Sequence, residues 1–361
     1  MGEFMGASDR ISRVRSKIAD LGLEAFLFLD MPNIRYLTGF TGSDGALVAG
    51  ARNNILLVDG RYTTQAGREV QGADIRHYRD KTEGIAQALL DSGWKAIGLE
   101  STAVTLQEYL NLKARAEGLE LRPLEREMST LRVIKDETEI KRMKKAAVLS
   151  SQALLLALEG IKPGISERDM ALELEYRIRQ GGADSVSFDV IVASGENSAL
   201  PHARPGFRKS EAGDFIVLDY GAVCGGYRSD ETCTVALGSI SDKQRYIYAV
   251  VREAHDRALA AVKAGATCRD VDHAARSFIE EKGLGKYFSH GTGHGIGLSV
   301  HEEPRLSILS ESCLEAGMVI TIEPGVYMPG LWGVRIEDMV LVTRDGCDVL
   351  TTVPKDLIRL S

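Results

Sequence analysis

DFIVLDYGAVCGGYRSDETCT, residues 214–234, holds two strand-like runs joined by Gly225-Gly226. A double glycine supplies the positive φ angles that a two-residue hairpin turn requires. If Cys224 pairs with Tyr227 across that turn, Asp219 faces Thr232. Asp230 lies two residues from Thr232, so it shares a face with Asp219 as a diagonal neighbour, within reach of one ion. A slip of one residue would put the two carboxylates on opposite faces. The apolar run Phe215–Leu218 argues for burial, and buried carboxylates need cations. The competing reading is two solvated carboxylates on an exposed sheet face.

Three further segments extend the pattern. SHGTGHGIG, residues 289–297, alternates glycine with larger residues. On a strand, His290, Thr292 and His294 share one face, and the glycines on the other allow close approach of a second backbone. The run does not fit GxGxxG, which argues against a nucleotide site. VITIEPG, residues 319–325, puts Val319, Thr321 and Glu323 on one face, and VRIED, residues 334–338, does the same for Arg335 and Glu337. Asp219, Asp230, His294, Glu323 and Glu337 together form an oxygen-rich set with one nitrogen. Such a set suits two divalent cations, Mn2+ first, with Co2+, Zn2+ or Fe2+ as substitutes. Structural zinc prefers Cys and His, and HExxH is absent.

The bulk properties are those of a soluble globular protein. At 361 residues the chain exceeds one ordinary core, so two domains are expected. Hydrophobic residues make up 44% and charged residues 26%, within the globular range. The net charge of -7, without a long Lys/Arg run, disfavours nucleic acid as a partner. Five scattered cysteines without CxxC spacing read as reduced thiols in a cytoplasmic protein. No signal-peptide pattern or membrane-length apolar run is present. Met1–Phe4, ahead of Met5, reads as a vector-derived leader outside the fold.

Along the chain, Ile11, Val14, Ile18 and Leu21 recur at helical spacing, predicting a helix over 8–21. Strands follow at 25–29, 46–48, 55–58 and 96–99, with helices at 83–92 and 105–117. This α/β domain spans 5–132. The second domain, 133–361, opens with Asp136 and Glu139 in a capping box. It continues with helices at 166–181, 241–264 and 268–282, and with strands from 187 and after the last helix.

These residues resemble the pita-bread-fold metallopeptidases, the family of methionine aminopeptidase, aminopeptidase P and prolidase. GTGHGIG, VHEEP, TIEPGVY and VRIED stand in the expected order, and the match covers roughly residues 137–345. NIRYLTGFTGS, residues 33–43, looks like the creatinase-type N-terminal domain of prolidases and aminopeptidase P. Methionine aminopeptidases lack that domain, so Xaa-Pro cleavage is favoured. The resemblance implies an α/β creatinase-like N-terminal domain, an α+β pita-bread catalytic domain and a homodimer.

It also implies roles. Asp219 chelates the first metal, Asp230 and Glu337 bridge both, and His294 and Glu323 complete the second. A hydroxide shared by the metals attacks, with Glu323 as general base and proton shuttle. His301 stabilises the oxyanion or leaving group, and His202 binds substrate nearby. Arg305 meets the substrate carboxylate. Arg335, grouped with the substrate-binding residues, orients Glu337. One departure is visible: Cys233 stands where the family often has Arg, on the face turned away from Asp230. The alternatives are aminopeptidase P activity on longer peptides, a metal-free creatinase-type hydrolase, and a non-enzymatic interaction protein. The last two should lack ligands, and none is missing.

Overall fold

The computed structural model describes residues 7–124 and 127–361, so Met1–Phe4 lies outside the described residues. The chain divides into two compact units, Met1–Arg132 and Val133–Ser361.

The first unit is built on a six-stranded mixed sheet. Its order is Asp74–His77, Asn54–Val58, Ala46–Gly50, Ala25–Phe28, Ala96–Glu100 and Glu120–Leu124. The apolar runs legible in the sequence are the inner strands, buried on both faces. The two edge strands were not expected. Asp74–His77 is polar and largely exposed, and Glu120–Leu124 contains Pro123, which an edge tolerates. Helices form at Ala7–Asp20, Lys81–Asp91 and Leu106–Arg115, close to the expected spans. In the first, Ile11, Val14 and Ile18 are buried. Two further helices, Met31–Thr38 and Thr63–Glu69, were not expected. The first of them carries Pro32 in its first turn, where no N–H is needed, and stops at Gly39 with φ 79°.

The second unit pairs helices with sheets twice. Helix Glu137–Leu158 starts at the expected capping box. Asp136 accepts from the Glu139 amide at 2.9 Å, and Glu139 accepts from the Asp136 amide at 2.9 Å. This helix and Glu167–Gln180 bury Leu154, Leu158, Leu174 and Ile178 against Ile216, Leu218 and Val235. Those three residues belong to a four-stranded sheet ordered Arg359–Leu360, Glu231–Leu237, Phe215–Tyr220, Ile191–Ser194. Helices Asp242–Ala261 and Cys268–Glu281 pack Val251, Ala254, Val271 and Ala275 against Ile320, Ile322 and Val340. These last lie in a five-stranded sheet ordered Glu302–Leu306, Gly293–Gly295, Val319–Ile322, Asp338–Val342, Cys347–Val349. The helix expected to reach 264 ends at Ala261, where Val262 turns extended.

The hairpin forms in the expected register. Cys224 pairs with Tyr227, and Asp219 with Thr232. Gly225 and Gly226 sit at φ 58° and 85°, so both turn positions need positive φ.

Candidate active site

The two sheets bring their carboxylates together from strand ends. Asp219 lies in Phe215–Tyr220, and Asp230 directly precedes Glu231–Leu237. Glu323 follows Val319–Ile322, and Glu337 precedes Asp338–Val342. The Glu337 amide donates to the Thr232 carbonyl at 3.1 Å, tying one sheet to the other. Thr232 Oγ1 donates to Glu337 Oε2 at 2.6 Å and accepts from Arg335 Nε at 3.0 Å.

One oxygen or nitrogen each from Asp230, His294 and Glu337 lies within 4.8 Å of the other two. His294 Nε2 stands 3.6 Å from both Asp230 Oδ2 and Glu323 Oε1. The other ring nitrogen, Nδ1, is 3.0 Å from the Gly295 carbonyl, so it carries the proton. Burial lowers the His294 pKa, so the ring is neutral. The bare Nε2 lone pair therefore faces two carboxylate oxygens with no proton between them. Asp219 Oδ2 accepts from Arg335 at 2.5 Å, while its buried Oδ1 has no hydrogen-bond partner among the described residues.

The electrostatics carry the same imbalance. Burial, then the charges of Glu337, Asp219 and Glu323, push the Asp230 carboxyl well up. Glu337 is raised by burial and by Glu323 and Asp219, and burial raises Glu323. Four carboxylates and a neutral imidazole in a largely buried site are a cation-binding donor set. The unpartnered Asp219 oxygen and the exposed His294 lone pair both fit that use.

The outer residues fall into two groups. Arg335 is buried, and its contacts differ from the expected one. It bonds Asp219 directly, and reaches Glu337 only through Thr232. Its remaining donors go to the Pro201 carbonyl and the Tyr327 hydroxyl, both at 3.0 Å. His202, His301 and Arg305 are exposed. The His301 ring meets that of His294 edge-on at 4.4 Å, and burial, then His294, lowers its pKa. Arg305 pairs directly across the strands with His294, so both side chains leave the sheet on one face. Cys233 faces away, 3.7 Å from Lys355 Nζ.

The glycine-rich run departs from the expected uniform strand. Only Gly293–Gly295 is extended, and a bulge follows His294. Thr292 turns its hydroxyl to Asp272 at 2.8 Å, on helix Cys268–Glu281. The glycines do admit neighbouring backbones. A Cβ on Gly293 would lie 1.9 Å from the Thr321 carbonyl oxygen, and one on Gly295 2.1 Å from that of Glu303.

Tyr327 was assigned no role from sequence, although it closes the TIEPGVY run. Burial holds its hydroxyl protonated, up to about 12. The hydroxyl accepts from Arg335 and donates to His290 Nε2 at 2.9 Å.

The Metallopeptidase family M24 pattern matches residues 141–344, and the Creatinase/Prolidase N-terminal domain pattern matches residues 10–134. The chain belongs to metallopeptidase family M24. Its M24 fold closely follows that of an Xaa-Pro dipeptidase from Bacillus anthracis, with TM-score 0.95 and 41% identity over 98% of this chain and 100% of that one. A curated Xaa-Pro dipeptidase from Pyrococcus horikoshii is 36% identical over 97% of this chain and 99% of its own length. An X-Pro aminopeptidase from Thermotoga maritima gives TM-score 0.87 and 37% identity, covering 95% of this chain and 99% of that one. Membership in M24 agrees with a catalytic divalent-metal site in the second unit. No helix among the described residues is long and apolar enough to cross a membrane.

Proposed function

We propose that this M24 chain is a dinuclear metal-dependent Xaa-Pro dipeptidase, cleaving the bond between an N-terminal residue and proline. The observation that carries the reading is the bare Nε2 of His294 facing Asp230 and Glu323 at 3.6 Å, a contact that cations reconcile. Asp219, Asp230, His294, Glu323 and Glu337 would hold two divalent ions, with Mn2+ favoured by the carboxylate-rich set. Bound there, the ions would supply Lewis acidity and a water of lowered pKa.

The chain's own residues account for the rest. Glu323 takes the water's proton and delivers it to the proline nitrogen, a tertiary amide nitrogen with no N–H of its own. His301 donates to the developing oxyanion, and His202 lines the substrate side. The exposed Arg305 side chain has no hydrogen bond or ion pair among the described residues and stands opposite His294, which leaves it available to grip a dipeptide's free carboxylate. Arg335 orients Asp219.

A second reading, aminopeptidase P activity on longer peptides, is favoured by the likeness to the Thermotoga enzyme. Hydrolysis of Ala-Pro beside Ala-Pro-Ala by Mn-loaded protein, with a chelated control, separates the two. Cleavage of the dipeptide alone supports the dipeptidase. Cleavage of the tripeptide supports the second reading and removes the role of Arg305. No chelator-sensitive cleavage of either overturns both. The five free cysteines support a cytoplasmic, reducing setting. A homodimer belongs to the same proposal through the family resemblance, and light scattering tests it.

A further inference from the structure

Glu167 opens helix Glu167–Gln180 and is fully buried. An acidic residue in a first helical turn ordinarily faces solvent and meets the helix dipole. This one turns inward and accepts five hydrogen bonds from four donor atoms of a single loop. Its Oε1 accepts from the Ser194 amide at 2.7 Å, the Ser194 hydroxyl at 2.9 Å and Asn197 Nδ2 at 3.0 Å. Its Oε2 accepts from Asn197 Nδ2 at 3.2 Å and from the Gly206 amide at 3.1 Å. Ser194 and Gly206 are the two ends of the segment that carries His202. One carboxylate thus joins both ends of that loop at its base, where the Arg168 amide also donates to the Gly206 carbonyl at 2.9 Å.

The loop's far side is tied to the strand Trp332–Arg335, which precedes Glu337. Ser198 Oγ accepts from the Gly333 amide at 2.8 Å, and the Pro201 carbonyl accepts from Arg335 at 3.0 Å. Arg335 in turn holds Asp219. At the base, Arg208 bonds the Ser194 hydroxyl at 2.7 Å and Asp214 at 2.6 Å. Gly195 has φ 53°, and a Cβ there would lie 2.2 Å from Arg208, so the path out of Ser194 is fixed as well. His202 itself is exposed and makes no hydrogen bond among the described residues. Its position therefore depends on the loop being closed.

We propose that Glu167 is a positioning residue for the Xaa-Pro reaction, a clasp whose two carboxylate oxygens close the Ser194–Gly206 loop and set His202 on the substrate side. This rests on the substrate role of His202 given above. Only a carboxylate can do it. In Glu167→Gln one oxygen becomes an NH2 donor, and in either amide orientation one loop end loses its acceptor.

The test uses the whole Mn-loaded chain. In E167Q, amide hydrogen exchange across 194–206 should rise by about tenfold or more, while strands 215–220 and 319–322 and the bound-metal stoichiometry stay as in the parent. kcat/KM for Ala-Pro should fall by roughly 10- to 100-fold. In a His202→Ala background, E167Q should cost little more, because both changes act on one group. Asn197→Ala, which removes two of the five contacts at a half-buried site, should give an intermediate version of each effect and serves if E167Q does not fold. Unchanged loop exchange in both variants overturns the clasp. Faster exchange with unchanged kcat/KM, or additive losses with His202→Ala, overturns the positioning role. If the parent cleaves neither peptide, the Xaa-Pro reading falls on its own, and the exchange result still decides the clasp.

Discussion

The Arg335 guanidinium is almost wholly buried, and its donors reach Asp219, Thr232, Pro201 and Tyr327. It fixes one oxygen of Asp219 and leaves the other, Oδ1, without a hydrogen-bond partner among the described residues. Arg335→Met removes that orientation and leaves several buried acceptors unfilled. Divalent-ion affinity, measured by competition with a chelating dye, should fall about 10- to 100-fold. Unchanged affinity would show that Asp219 needs no such support. Arg305 is the opposite case, exposed and uncommitted. Arg305→Ala should raise KM for Ala-Pro about 10- to 100-fold, the worth of a lost charge-assisted pair. Bound-metal stoichiometry should not change. An Ala-Pro amide, which lacks the carboxylate, should be insensitive to the substitution, and equal effects on both substrates would remove the carboxylate role.

At the scale of the element, the hairpin was legible because its cues are local. Gly225-Gly226 sets the turn, and alternation then fixes Asp219 against Thr232. The apolar inner strands and the Asp136 capping box were legible for the same reason. Contacts made between sheets were not. Arg335 sits two residues from Glu337, so it read as that residue's partner, yet it bonds Asp219, 116 positions away. Nothing local to Glu167, at the start of its helix, reveals the Ser194, Asn197 and Gly206 donors that converge on it. The glycine run misled in a different way. Alternation of glycine with larger residues looks like a uniform strand, but a bulge after His294 and the pull of Asp272 on Thr292 break the period. What the glycines do provide is proximity. Gly293→Ala would drive a Cβ into the Thr321 carbonyl and push the His294 strand off its neighbour. Overpacking of this kind should cost about 1–3 kcal/mol or more. Gly346→Ala, with open space around it, should stay within about 0.5 kcal/mol. Urea unfolding of the two variants checks this, and equal midpoints would refute the close approach.

For the whole molecule, the acidic excess is unevenly used. Residues 1–132 and 133–361 form separate compact units, each with its own buried cluster, so each is able to melt as a cooperative body. The carboxyls of Asp230, Glu323 and Glu337, raised by burial and by neighbouring carboxylates, all belong to the second. Without cations, that group is a local store of like-charge repulsion and desolvation. With them, it becomes a source of stability that the first unit does not share. Ions held at about a hundred times their dissociation constant contribute about 2.7 kcal/mol per site. With two such sites, chelation should lower the melting transition of the second unit by on the order of 10–20 °C and leave that of the first in place. Calorimetry of the Mn-loaded and chelated chain, with residues 1–132 melted alone to assign its transition, measures both. A scan unmoved by chelation would remove the metal reading at its root. A single transition that shifts as a whole would mean that the two units melt together, and that the stability supplied at five residues is spread over the entire chain.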